Sequence, residues 1–87
     1  MTEIAFRADD GHLRAHPDDP GLTSRQAGVM ALTSPSIAGL LGGSYVIAFQ
    51  DDNGHLRTHP DDVALTNRKA GMDGRTSPSA IDAFLIV

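Results

Sequence analysis

The chain has 87 residues, 40% of them apolar, with a formal net charge of −4 and no cysteine. That length holds at most one small domain, and a lone chain of this size hides only roughly 60–65% of its unfolded surface. The missing cysteine excludes disulfides and thiolate metal sites, and the acidic balance argues against a nucleic-acid groove, which needs Lys and Arg clustered without carboxylates between them.

In chain order, "MTEIAFRADD" offers neither the basic flank nor the long apolar run of a signal peptide. It contains a strand-like "EIAF" and leads through Asp10-Gly11 into the alternating "HLRAH". Asp-Gly between strand-like runs is a hairpin signal. The next segment, "PDDPGLTSRQAG", starts with proline and ends with glycine as a helix would, but Pro20-Gly21 would break a helix begun at Pro17 in its second turn. A polar loop followed by a short strand is expected instead. "TSPSIAGLLGG" then supplies a turn, a short strand and a glycine-rich connection. "SYVIAFQ" alternates Tyr45, Ile47 and Phe49 on one face with Val46, Ala48 and Gln50 on the other. "DDNG" follows as the strongest short hairpin signal in the chain, then "HLRTH" and "PDDVALTNRKAG", which reads as a loop and a short strand from about Leu65. The chain closes on "RTSPS" and the apolar "AFLIV", a run far too short to span a bilayer.

These elements occur twice. A shift of 43 residues superposes Ile4-Ala5-Phe6 on Ile47-Ala48-Phe49, "GHLR" on "GHLR", "HPDD" on "HPDD" and "TSPS" on "TSPS". Of the 33 pairs from Ile4 to Ser36, 21 are identical. The chain is thus one domain of two tandem repeats, about 1–43 and about 44–87. Each repeat is expected to carry four short strands, the size of a propeller blade, which gives an all-β fold.

"TSPSIAGLLGGSYVIAFQDDNGHLRT", with its echoes "IAFRADDGHLRA" and "TSPSAI", resembles the repeat of bacterial, often actinobacterial, β-propeller proteins related to PLL-like and tachylectin-like lectins. Those repeats run through a Ser-Pro-Ser-Ile turn, a Val-Ala-Phe-Gln strand, a tight turn and an Asn-Leu-Trp-Thr strand. Arg14 and Arg57 stand where the family has Trp, and this chain has no Trp. The two-repeat layout is also similar to small fucose-binding lectins that trimerise into a six-bladed ring. The resemblance implies a homo-oligomer, a homotrimer by preference, in which the C-terminal strand of one chain completes a blade of its neighbour. Even blade numbers are allowed, and six is favoured. "FQDDNGHL" is also similar to the Gln-x-Asp-x-Asn-x-Val strand of prism-type lectins, with Gly54 where Asn belongs and Thr58 where Tyr belongs.

A two-residue turn at Asn53-Gly54 would set Asp52 opposite His55, Gln50 opposite Arg57 and Ala48 opposite His59. In the first repeat it would set Asp9 opposite His12, Arg7 opposite Arg14 and Ala5 opposite His16. The polar residues then form ladders, and Asp9, His12, Arg14, His16, Asp52, His55, Arg57 and His59 become the candidate ligand-binding residues. An anionic ligand, or Asp18 or Asp19 of an adjoining blade, would neutralise the facing Arg7 and Arg14. Two histidines four apart on a strand lie about 13 Å from each other, too far to share one zinc ion, and "DDNG" lacks the acidic spacing of a calcium loop. No metal or cofactor is expected. "HPDD" reads as a capped turn, and Phe6 and Phe49 read as core.

Ser, His and Asp are all present, but in no nucleophile-elbow setting, and duplicated polar groups suit multivalent binding better than one unsymmetrical active site. The expected function is therefore a lectin-like glycan binder, not an enzyme. The alternative is a ligand-free assembly or protein-interaction module, an excerpted or engineered propeller fragment whose polar ladders only join the blades.

Overall fold

The computed structural model describes residues 3–40 and 42–80, and the strand expected at the C-terminus falls outside them. The fold is all-β in character, and the described residues form two small antiparallel sheets and two short helices. Strands β1 (Ile4–Arg7) and β2 (Leu13–His16) form one sheet, followed by helix α1 (Pro20–Arg25). Strands β3 (Ser36–Gly39), β4 (Tyr45–Gln50) and β5 (Leu56–His59) form the other in sequential order, followed by α2 (Val63–Arg68). The third strand expected in each repeat shrinks to a single bridge after the helix, His12 to Gly28 and His55 to Gly71, while β3 is the fourth strand expected of the first repeat. Backbone bonds flank each bridge, Leu13 N–H to Ala27 O and Val29 N–H to Gly11 O in the first repeat.

The hairpin register departs from the two-residue turn by one residue. Asp51 N–H donates to His55 O and Gly54 N–H to Asp51 O, both at 2.9 Å, so the loop holds three residues. Gly54, at φ +80°, takes the left-handed position that such a loop requires. Phe49 therefore faces Arg57, Ile47 faces His59, and Gln50 faces Leu56. The first repeat closes the same way at Gly11, setting Phe6 opposite Arg14, Ile4 opposite His16 and Arg7 opposite Leu13. The expected ladders of Gln50 with Arg57 and Arg7 with Arg14 do not form, because one extra loop residue moves one strand's side chains to the other face. Among the described strand pairs, no arginine stands opposite another.

The segments after the hairpins are helical where a short strand was expected. Helix α1 begins at Pro20 rather than Pro17, so Pro20 occupies the first turn, where no N–H is needed. Asp19 caps it by accepting the Leu22 N–H at 3.2 Å, and Asp62 caps α2 by accepting the Leu65 N–H at the same distance. Both helices stop after six residues at a left-handed cap, Gln26 and Lys69.

The core lies between the repeats. Ile47 and Phe49 of β4 pack against Leu13 and Ala15 of β2, Leu22 of α1, and Val29, with Ala5, Ala27, Ile37 and Tyr45 around them. Phe49 is 1% exposed, whereas its counterpart Phe6 is 42% exposed. The expectation that both phenylalanines are core holds for Phe49 only, since no third sheet covers β1 among the described residues.

Phe49→Ala should lower the unfolding free energy by about 3–5 kcal/mol. Phe6→Ala should cost less than about 1 kcal/mol when the chains are kept dilute. Urea midpoints of the two variants check the difference, and equal losses would contradict this placement of the core.

Candidate functional site

Strand pairing puts Phe49 and Arg57 side by side on the face of the second sheet that meets the first repeat. Helix α1 brings Arg25, in its last turn, to the same place from the first repeat. The Arg25 guanidinium lies over the Phe49 ring, 5.6 Å from its centroid, a cation–π distance. Its Nη1 donates to Thr58 O at 2.8 Å, and its Nη2 lies 3.6 Å from Asp61 Oδ1. Burial, and then the neighbouring Arg57 charge, lower the Arg25 pKa from its ordinary value.

Arg57 has two carboxylate neighbours. Its Nη2 is 3.3 Å from Asp61 Oδ1 and its Nη1 is 3.6 Å from Asp51 Oδ2. Asp61 is fixed by the Thr66 hydroxyl, which donates to it at 2.7 Å and is the main reason its pKa lies below the ordinary carboxylate value. Asp51 is fixed by the backbone N–H groups of Asn53 and His55, at 2.9 and 3.0 Å, in a local Asx turn. The Nε of Arg57 is buried and has no hydrogen-bond partner among the described residues. Arg57 also lines a cleft of about 150 Å³, together with Arg25, Ala27, Gly28, Phe49 and Asp51. Gly28 makes room for Asp52, whose Oδ2 would lie 1.9 Å from a Cβ at position 28.

A second set of contacts continues across the junction. Tyr45 donates its hydroxyl to Asp19, and this bond, followed by burial, raises the Tyr45 pKa to about 12. The same bond is the main cause of the lowered Asp19 pKa. His59 sits between the repeats, with Nδ1 3.2 Å from Arg25 Nη1 and Nε2 3.6 Å from Asp19 Oδ2. Burial outweighs the pull of Asp19 and holds the His59 pKa below its ordinary value, so the ring is neutral at pH 7. Nδ1 then accepts from Arg25, and Nε2 carries the proton toward Asp19.

Of the eight candidate residues, the structure brings Arg57 and His59 to the junction and sets Asp52 beside it. Asp9 and His16 are exposed, and His12 and Arg14 pair with Asp10 at 3.3 Å on the outer surface of the first repeat. His55 lies at the bridge to Gly71, and no ion pair among the described residues involves it. The anion beside Arg14 is Asp10 of the same repeat rather than Asp18 or Asp19, Arg7 donates to Val29 O at 2.9 Å, and Asp19 serves His59 instead. Sequence reasoning did not single out Arg25, Asp51, Asp61 or Tyr45. The identity of Arg25 with Arg68 across the repeats was the available signal for the first of these. A larger hollow of about 540 Å³ opens near Glu3, Ile37, Leu40 and Tyr45, but Glu3 is its only charged lining residue among the described ones. No family model matches the chain, and neither a curated protein nor a solved structure matches it.

The site carries a pH dependence of definite sign. Unfolding restores His59 to an ordinary pKa of 6.5, above its folded value, so the unfolded chain binds more protons as pH falls below that point. Stability should therefore be complete above about pH 7 and decline as pH drops through 6.5. Asp10, Asp19 and Asp61, all lowered from 3.8, add their losses only in a more acidic window. Thermal melts across this range should show the first decline in the native chain and a flatter profile in His59→Gln; an unchanged profile in the variant would contradict the assignment to His59.

Proposed function

We propose that the chain is a lectin-like module for neutral polyhydroxylated ligands, with the cleft between its repeats as the binding site. The observation that carries this reading is a cleft lined by residues of both repeats, among them Arg57, whose buried Nε–H has no partner among the described residues. A buried donor left without an acceptor costs free energy, which a ligand oxygen would recover. The charges favour a neutral ligand. Arg25 and Arg57 stand beside Asp51 and Asp61, so the cluster balances, and an incoming dianion would meet two carboxylates. A hydroxyl group can accept from Arg57 and donate to a carboxylate at once. Because Arg25 already covers a face of Phe49, recognition relies on hydrogen bonds rather than on an aromatic platform.

Three copies closing a six-bladed propeller would give several such clefts, and avidity would then compensate for weak single sites. A second reading has its own support. Arg25 to Asp61 and His59 to Asp19 tie one repeat to the other, as expected of polar glue in a ligand-free assembly module.

Titration of monosaccharides and a glycan panel, followed by amide chemical shifts, separates the two. Under the binding reading, shifts cluster at residues 25–28, 49–51 and 57. Arg57→Lys, which keeps the charge but lacks the Nε donor, then weakens binding about tenfold or more without lowering the melting temperature. If no sugar perturbs the site and Arg57→Lys lowers the melting temperature, the glue reading stands. Native mass by light scattering tests the ring, and a mass that is not three chains would sink the trimer.

A further inference from the structure

The interface inside the chain shows what should cover its two ends. Ile47, Phe49, Arg57 and His59 form the face of the second repeat that meets the first. The equivalent face of the first repeat carries the same four residue types, Ile4, Phe6, Arg14 and His16. There, Ile4 is 50% exposed and Phe6 is 42% exposed, against 0% for Ile47 and 1% for Phe49. The other side of the interface shows the converse. Leu13, Leu22 and Val29 are fully buried in the first repeat, while their counterparts Leu56, Leu65 and Met72 are only half-buried in the second. The chain therefore presents two unlike surfaces, and each matches the partner that the other repeat already has.

We infer that a second copy of the chain docks head to tail, its first repeat placed on the second repeat of its neighbour as the two repeats are placed within one chain. The contact is heterologous, and its repetition gives a ring or a filament according to the rotation per step. The charged groups of the junction recur with it. Arg68 and Asp18 stand where Arg25 and Asp61 stand in the chain, and His16 and Asp62 where His59 and Asp19 stand. Docking would bring Arg68 over Phe6 of the next copy and Asp62 to its His16. It would also build a second cleft, which neither copy contains alone. That cleft differs from the first. Ala8 replaces Asp51, and Arg14 takes its carboxylate contact from Asp10 instead, 3.3 Å away. Two non-identical sites per chain follow, and their ligand class, unlike the docking itself, rests on the polyol reading.

Sedimentation velocity on the full chain tests the docking with no ligand present. The wild-type chain should associate with rising concentration, and Phe6→Asp and Leu56→Asp should each weaken association about tenfold or more. Mixed in equal amounts, the two variants should form a species of two chains and nothing larger, since each keeps the surface the other has lost. Circular dichroism verifies that each variant is folded, and Leu65→Asp replaces Leu56→Asp if the latter is not. A wild-type chain monomeric at every concentration would overturn the proposal. So would a Phe6→Asp chain that associates like the wild type, or a folded pair that stays monomeric on mixing. A failed glycan titration alongside successful complementation would count against the ligand and not against the docking.

Discussion

Each hairpin closes over three residues, with a glycine in the left-handed region at its end, and the composition of the junction follows from that count. With Gly54 at φ +80° and Asp51 bonded to it, Phe49, Ile47, Arg57 and His59 share one face of the sheet. A loop shorter by one residue would send Arg57 and His59 to the far side while leaving the apolar pair in place. The cleft would then lose Arg57, and the junction would lose His59. The glycine positions thus govern chemistry at a distance from the turn itself.

The junction that results is apolar at its centre and ionic at its margin. Burial of Phe49, Ile47, Leu13 and Leu22 supplies the attraction between repeats. The ion pairs add little to that, because charges removed from water recover in contact roughly what they lose in hydration. Their contribution lies in alignment. Arg25 reaches a carbonyl, a histidine nitrogen and a carboxylate together only when α1 sits at one height along β5. An apolar seam alone would tolerate sliding by a residue or two.

What could be read from the sequence was whatever each repeat fixes within itself. The duplication, the alternating strand at residues 45–50, the turn at Asn53-Gly54 and the capping role of the "HPDD" aspartates were all visible there. The register was not, because Asp-Gly and Asn-Gly suit a two-residue turn and the third position of a longer one equally well. The helices were hidden by placing their start at Pro17, which puts Pro20-Gly21 in a second turn; starting them at Pro20 removes the conflict. Arg25 was hidden for another reason: it lies 34 residues from His59, and only the packing of one repeat on the other brings them within 3.2 Å. Phe6 shows the opposite limit. Identical residues in two repeats have identical environments only where both have the same neighbour.

Asp19 joins two of these layers in one side chain. Its Oδ1 accepts the Leu22 N–H that starts α1, while its Oδ2 receives the hydroxyl of Tyr45 from the other repeat. Asp62 caps α2 in the same way, but no tyrosine reaches it among the described residues. Two helices of equal length and equal capping therefore differ in what must happen before their first turn opens. Helix α2 can fray alone, whereas α1 gives up a contact between repeats when it does. Amide hydrogen exchange at the start of α1 thus reports on separation of the repeats, and the same measurement at α2 reports only on local unwinding.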